Sequence, residues 1–150
     1  VDKFSIGNQP RMFSDAGKVG PAYCTGVGKA MMAFLGEDDL DRVIKQQSFH
    51  VFTPNTLSTA KELRAELEEI RAHGYGFDRE EHEPGIICVA LPILSRRKRV
   101  LGAISVTSST QRTNLANLET YVDQIRTIAQ AISDDLASWR FPDQAEASPT

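Results

Sequence analysis

Histidine, cysteine, positive charge and long apolar runs are all in short supply in this chain, and each shortage excludes something. Only three histidines occur in 150 residues, and His82 has no second His or Cys at helix or turn spacing. A metal centre is therefore disfavoured, and the stretch FDREEHEPG (77–85) around it reads as a solvated acidic loop. Two cysteines, Cys24 and Cys88, make no disulfide framework, which fits a reducing cytoplasm. No apolar run approaches the ~20 residues that cross a bilayer, and no signal-peptide pattern opens the chain, so no membrane partner is expected. With 17 Lys and Arg against 20 Asp and Glu, the net charge is −3, which argues against a nucleic-acid surface spread over this segment. The basic run Arg96–Arg99 lies between two apolar runs and reads as a solvated hairpin turn rather than a phosphate-contacting patch. No Ser-His-Asp, Cys-His or paired-carboxylate constellation stands out. Nothing demands an enzyme, and no cofactor is expected.

What is present is a clear change of period along the chain. Short extended pieces at Val1–Ile6 and Arg11–Ser14 precede a helix whose apolar face is Val27, Met31, Phe34 and Leu35, capped by Thr25 and ended by Gly36. A second helix over 37–47 carries Glu37, Asp38 and Asp39 in its first turn, where the helix dipole favours acids. A third is capped by Ser58 or Thr59, shows Leu63, Leu67 and Ile70 on one face, and ends at His73 and Gly74. A weak strand at Gly76–Glu80 leads to two β-branched runs, Ile86–Leu94 and Val100–Thr107, which read as buried antiparallel neighbours. Helical spacing then holds from Leu115 to Trp139 for about seven turns, and the polar tail 141–150 reads as disordered. Strands, helices, strands and a last helix predict an α+β domain with an antiparallel sheet.

The stretch CTGVGKA (24–30) looks like a phosphate cradle but departs from both nucleotide motifs. Tyr23 and Ala30 break the Walker pattern, and Met31 breaks the dinucleotide fingerprint. Two readings remain: the glycines present first-turn amides to a carboxylate, or they only allow close helix–sheet packing. Lys29 is expected to turn to solvent. Asp78, at a strand end after Phe77, could point into a cavity. Cys88 reads as a small buried hydrophobe, with a reactive thiol as the alternative. Ser105 and Thr107 alternate on one face of their strand, and, if buried, need polar partners that a ligand or nearby backbone would supply.

Taken together, TGVGKAMMAFL, FTPNT, LRAELEEIRAHGYGFDREEHEPGIICVALPIL and VLGAISVT resemble the C-terminal effector-binding domain of the IclR family of bacterial transcription regulators, over roughly residues 10–140. The resemblance implies a GAF-like α+β fold, with residues 1–140 as the effector domain. It also implies an N-terminal winged helix-turn-helix domain outside this chain, through which alone DNA would be bound, and a homodimer or homotetramer. The implied ligand is a small carboxylate: a sugar, hydroxy, keto or aromatic acid. Carried over by motif, its pocket uses Gly26, Val27, Asp78, Cys88, Ser105 and Thr107, with Met12 and Ile86 in the apolar wall. Val27 stands where the family often has Ala, and Thr107 where Ser is common, so each adds a methyl-sized intrusion. Competing readings are a small cysteine-dependent enzyme or redox sensor using Cys88, and a pure oligomerisation module.

Overall fold

The β-branched runs and the capped apolar stripes form the elements that their chemistry dictates. The computed structural model describes residues 17–138; Met12, Trp139, the two extended pieces and the 141–150 tail lie outside the described residues. The elements are α1 (Gly26–Met32), α2 (Glu37–Lys45), α3 (Ala60–His73), β1 (Gly76–Arg79), β2 (Ile86–Leu94), β3 (Val100–Ser109), α4 (Leu115–Glu119) and α5 (Val122–Ser138). Thr59, not Ser58, caps α3: its side chain accepts from the Glu62 amide while the Glu62 carboxylate returns to the Thr59 amide, a complete capping box. Gly74 closes α3 at φ 82°, in the left-handed region that glycine adopts without penalty.

The described strands form one antiparallel sheet in the order β1-β2-β3. Asp78 pairs with Cys88 and Cys88 with Thr107, while Phe77, Val89 and Val106 make the adjacent row. Alternation sends these two rows to opposite faces. Ile87, Val89 and Leu91 pack on Leu118, Val122 and Ile125, so α4 and α5 cover the Val89 face. Cys88 and Ala90 pack on Ala30, so α1 covers the Cys88 face. The outer side of α1 joins α2 and α3 around Tyr23, Met32, Leu40, Leu63, Leu67 and Ile70.

Three local expectations need correction. Helix α1 ends at Met32 with Ala33 as its cap, and Gly36 instead caps the start of α2. The final helix is two: the amides of Thr120 and Tyr121 bond three residues back, to Asn117 and Leu118, at 3.2 and 3.1 Å, and the axis restarts at Val122. The apolar period survives this break because both pieces pack on one sheet face. The buried stripe of α1 is also rotated: Gly26, Lys29, Ala30 and Ala33 are buried, whereas Met31 is 38% exposed. Small residues at i, i+4 and i+7 form the seam, and the larger residues lie to its side.

Candidate functional site

Helix α1 can lie this close to the sheet because of its glycines. A Cβ on Gly26 would sit 2.3 Å from Cys88 Sγ and 3.2 Å from Ala90 Cβ. A Cβ on Gly28 would sit 2.4 Å from the Ala22 carbonyl oxygen, against backbone that cannot yield. Both glycines are thus required for this close packing, which leaves the first-turn amides of α1 free of any side chain at Gly26. It also places the first turn of α1 directly over the Asp78–Cys88 pair. Thr25 caps α1 through its extended backbone only, since its hydroxyl donates to the Pro21 carbonyl at 2.9 Å.

Beneath that turn the sequence-expected residues converge. Asp78, Cys88 and Thr107 stand side by side on three strands, and Ser105 pairs with Ala90 one step further along the same face. Val27 packs on the Ala30–Cys88–Ala90 cluster. Ile86, half-buried and paired with Ser109, has the same parity as Cys88 at the end of β2. Asp78 and Cys88 are buried, Ser105 is half-buried and Thr107 is exposed, so the face grades from a closed to an open end among the described residues. Burial pushes the Asp78 carboxyl up to about 6, against the pull of the hydrogen bond that it accepts from the Glu81 amide at 2.8 Å. Burial also pushes the Cys88 thiol up to about 12, which favours the neutral thiol over the thiolate.

Two expectations fail here, and they fail together. Lys29 does not face solvent; it is fully buried, and its ammonium donates to Glu66 Oε1 at 2.9 Å and to both Glu81 oxygens at 2.8 and 2.7 Å. The stretch 77–85 is not a solvated loop, since Asp78, Glu81 and Glu83 are all buried. The FTPNT segment closes over it. Thr53 and Thr56 donate to the carbonyls of Glu80 and Glu81 at 2.6 Å each, and Asn55 donates to Arg79 at 2.9 Å. Arg79 completes the cluster through its side chain to Glu66 at 2.9 Å and its amide to Glu81 at 3.0 Å. A buried ammonium persists only with such paired acceptors. Reasoning from side-chain type missed Lys29 and Glu81; the small-residue stripe of α1, with Lys29 inside it, was the available signal.

An antiparallel sheet with α1 on one face, the α4–α5 pair on the other and a polar row under α1 defines a GAF-like α+β domain. Comparison with known proteins narrows this. The family profile described as "Bacterial transcriptional regulator IclR C-terminal" matches residues 1–134, and the chain belongs to that family. The HTH-type transcriptional regulator XynR of Escherichia coli is 34% identical over 121 residues, 81% of this chain and 48% of XynR. The HTH-type transcriptional regulator KdgR of Dickeya chrysanthemi is 32% identical over 132 residues, 88% of this chain and 43% of KdgR. This chain thus spans a little under half the length of these relatives. Among solved structures, the Thermotoga maritima IclR superposes with a TM-score of 0.80 at 33% identity, over 87% of this chain and 52% of that one. The inducer-binding domain of an Acinetobacter PobR double mutant, in complex with 3-hydroxybenzoic acid, superposes with a TM-score of 0.66 at 26% identity, over 75% of this chain and 67% of that one. The relatives are named as transcriptional regulators, and this chain is a regulatory effector-binding domain of that family.

Proposed function

We propose that the domain, assigned to residues 1–140, binds a small carboxylate on the sheet face under α1 and thereby tunes DNA binding by an N-terminal domain outside this chain. The observation that carries this reading is the row Asp78–Cys88–Thr107, with Ser105 beside it, running under the first turn of α1 toward an open end. The amides of Gly26 and Val27, which have no acceptor inside the helix, meet the carboxylate. The hydroxyls of Ser105 and Thr107 donate to it, and Cys88 and Ile86 form its apolar wall. Asp78, protonated near and below pH 6, donates to an acid or accepts from a ligand hydroxyl, which favours hydroxylated acids over plain hydrocarbons. The ligand of the PobR domain, a hydroxylated aromatic acid, is of this chemical class.

The sensor acts as a homodimer or homotetramer in the cytoplasm, as part of a repressor. Contacts that differ between two arrangements of the subunits shift their populations and hence the spacing of the DNA-reading domains. A thermal-shift screen over small carboxylates tests the site. At least one hydroxylated acid should raise the melting temperature, and Ser105→Ala and Asp78→Ala should each abolish most of that rise. Stabilisation that survives both substitutions places the ligand elsewhere.

A further inference from the structure

The geometry points to a second anion site, at the opposite end of β2 from the effector row, built to take a small organic dianion with an apolar body. Strand β1 begins at Gly76, opposite Ala90, whereas β2 continues to Leu94, so the last four residues of β2 have no β1 partner beside them. Between that edge, the end of α3, the β2–β3 hairpin and α5 lies a cavity of about 390 Å³, within the ~300–1,000 Å³ of small-molecule sites. Its floor is apolar, with Leu91, Leu94 and Ala129. Its rim carries Arg71, Arg96, Lys98 and Arg126, and no Asp or Glu lines it, although acids outnumber bases 20 to 17 in the chain.

The four cations are not equally engaged. Arg71 donates to the carbonyls of Ala33 and Leu35 at 2.6 and 3.3 Å, and Arg126 pairs with Asp123 at 2.9 Å. Behind the lining, Glu69 lies 3.7 Å from His73 and Asp134 accepts from Gln130 at 3.1 Å. Arg96 and Lys98 have no ion pair among the described residues. Their backbone, though not their exposed side chains, is held by the hairpin. Within the hairpin, Ser95 and Arg99 bond at 2.8 Å, the Lys98 amide reaches the Ser95 carbonyl at 2.8 Å, and the Arg99 amide reaches Ser95 Oγ at 3.1 Å.

Lys98 adopts φ 61° as the left-handed residue that closes this hairpin loop. Two unpaired cations over an apolar floor complement a doubly charged head on a small apolar body, because charge-assisted contacts supply orientation and the floor supplies burial.

Amide NMR on the full chain tests this with phenyl phosphate as the probe and benzyl alcohol as its uncharged control. Phenyl phosphate should give saturable shifts at Gly74 and at Ser95–Arg99, with little response to benzyl alcohol. The double charge reversal Arg96→Glu/Lys98→Glu, at exposed positions that leave the core intact, should raise the Kd by at least about tenfold, and Asp78→Ala should leave it unchanged. Non-saturating shifts, equal affinity in the charge-reversed variant, or loss of binding in Asp78→Ala would each overturn the proposal. Because Asp78 belongs only to the effector row, failure here and failure of the proposed function remain distinguishable.

Discussion

The two faces of the sheet are built on opposite plans. On the α5 side, Ile87, Val89 and Leu91 meet Leu118, Val122 and Ile125, with Phe77, Ile104 and Val106 around them, and Arg79 lies over the outer Phe77 ring at 5.2 Å from its centroid. On the α1 side the contact residues are small, namely Gly26, Ala30, Cys88 and Ala90, and they are edged by buried Lys29, Asp78 and Glu81. Burying each large aliphatic on the first face contributes ~1.5–3 kcal/mol. The second face gains far less from burial and takes ionisable groups out of water, which costs stability unless every one is paired. One face is dominated by apolar burial, while the other buries polar and ionisable groups at some expense to stability.

This contrast can be broken experimentally, and the largest effect should come from the polar face. Lys29→Met strands the buried Glu81 carboxylate and should cost about 3–5 kcal/mol in urea unfolding, with part of the loss recovered by a second substitution, Glu81→Gln. A loss under about 1 kcal/mol would mean that the cluster is solvated and the contrast false. Next, Leu91→Ala on the opposite face should cost ~3 kcal/mol through its cavity while leaving the ligand-induced rise in melting temperature intact. If that rise also vanishes, the two faces are not separable.

The smallest effect is a pH slope. Burial raises the Asp78 carboxyl from 3.8 to about 6, so the folded chain holds a proton that the unfolded chain has released. Its contribution to stability therefore falls as pH rises from 3.8 to about 6 and is flat outside that window. Asp78→Asn keeps an oxygen for the Glu81 amide and should remove that slope, on the order of 1–3 kcal/mol across the window. Urea midpoints measured at several pH values for both chains would show it; parallel curves would assign the slope to other groups.

Where the sequence could be read correctly, the deciding information was local. The β-branched runs specified β2 and β3, and the Thr59–Glu62 spacing with Gly74 bounded α3. The expected site residues also came from short motifs, and the register sets Asp78, Cys88 and Thr107 in one row across the sheet. The errors have a common cause in information that is not local. Gly, Ala and Lys carry no apolar signal, so the true seam of α1 was invisible to a search for large hydrophobes. The partners that make a buried Lys29 tolerable lie 37 and 52 residues away, at Glu66 and Glu81, and no spacing rule connects them. The acids of 77–85 looked solvated because nothing in their own stretch announces that Thr53 and Thr56 will cover them. The break after Glu119 was hidden by an apolar period that both helices share.

The long separations around Lys29 also set an order of events. The β2–β3 hairpin closes across the few residues 95–99, and the α3 capping box forms within four, so both can appear early. The ammonium cannot shed its water until α1, α3 and the turn after β1 have all arrived, since any earlier burial would leave it without an acceptor. The Lys29 cluster, which joins three separated segments, is therefore expected to form after these local elements, and its looser coupling should be seen as faster amide exchange in α1 than in β2.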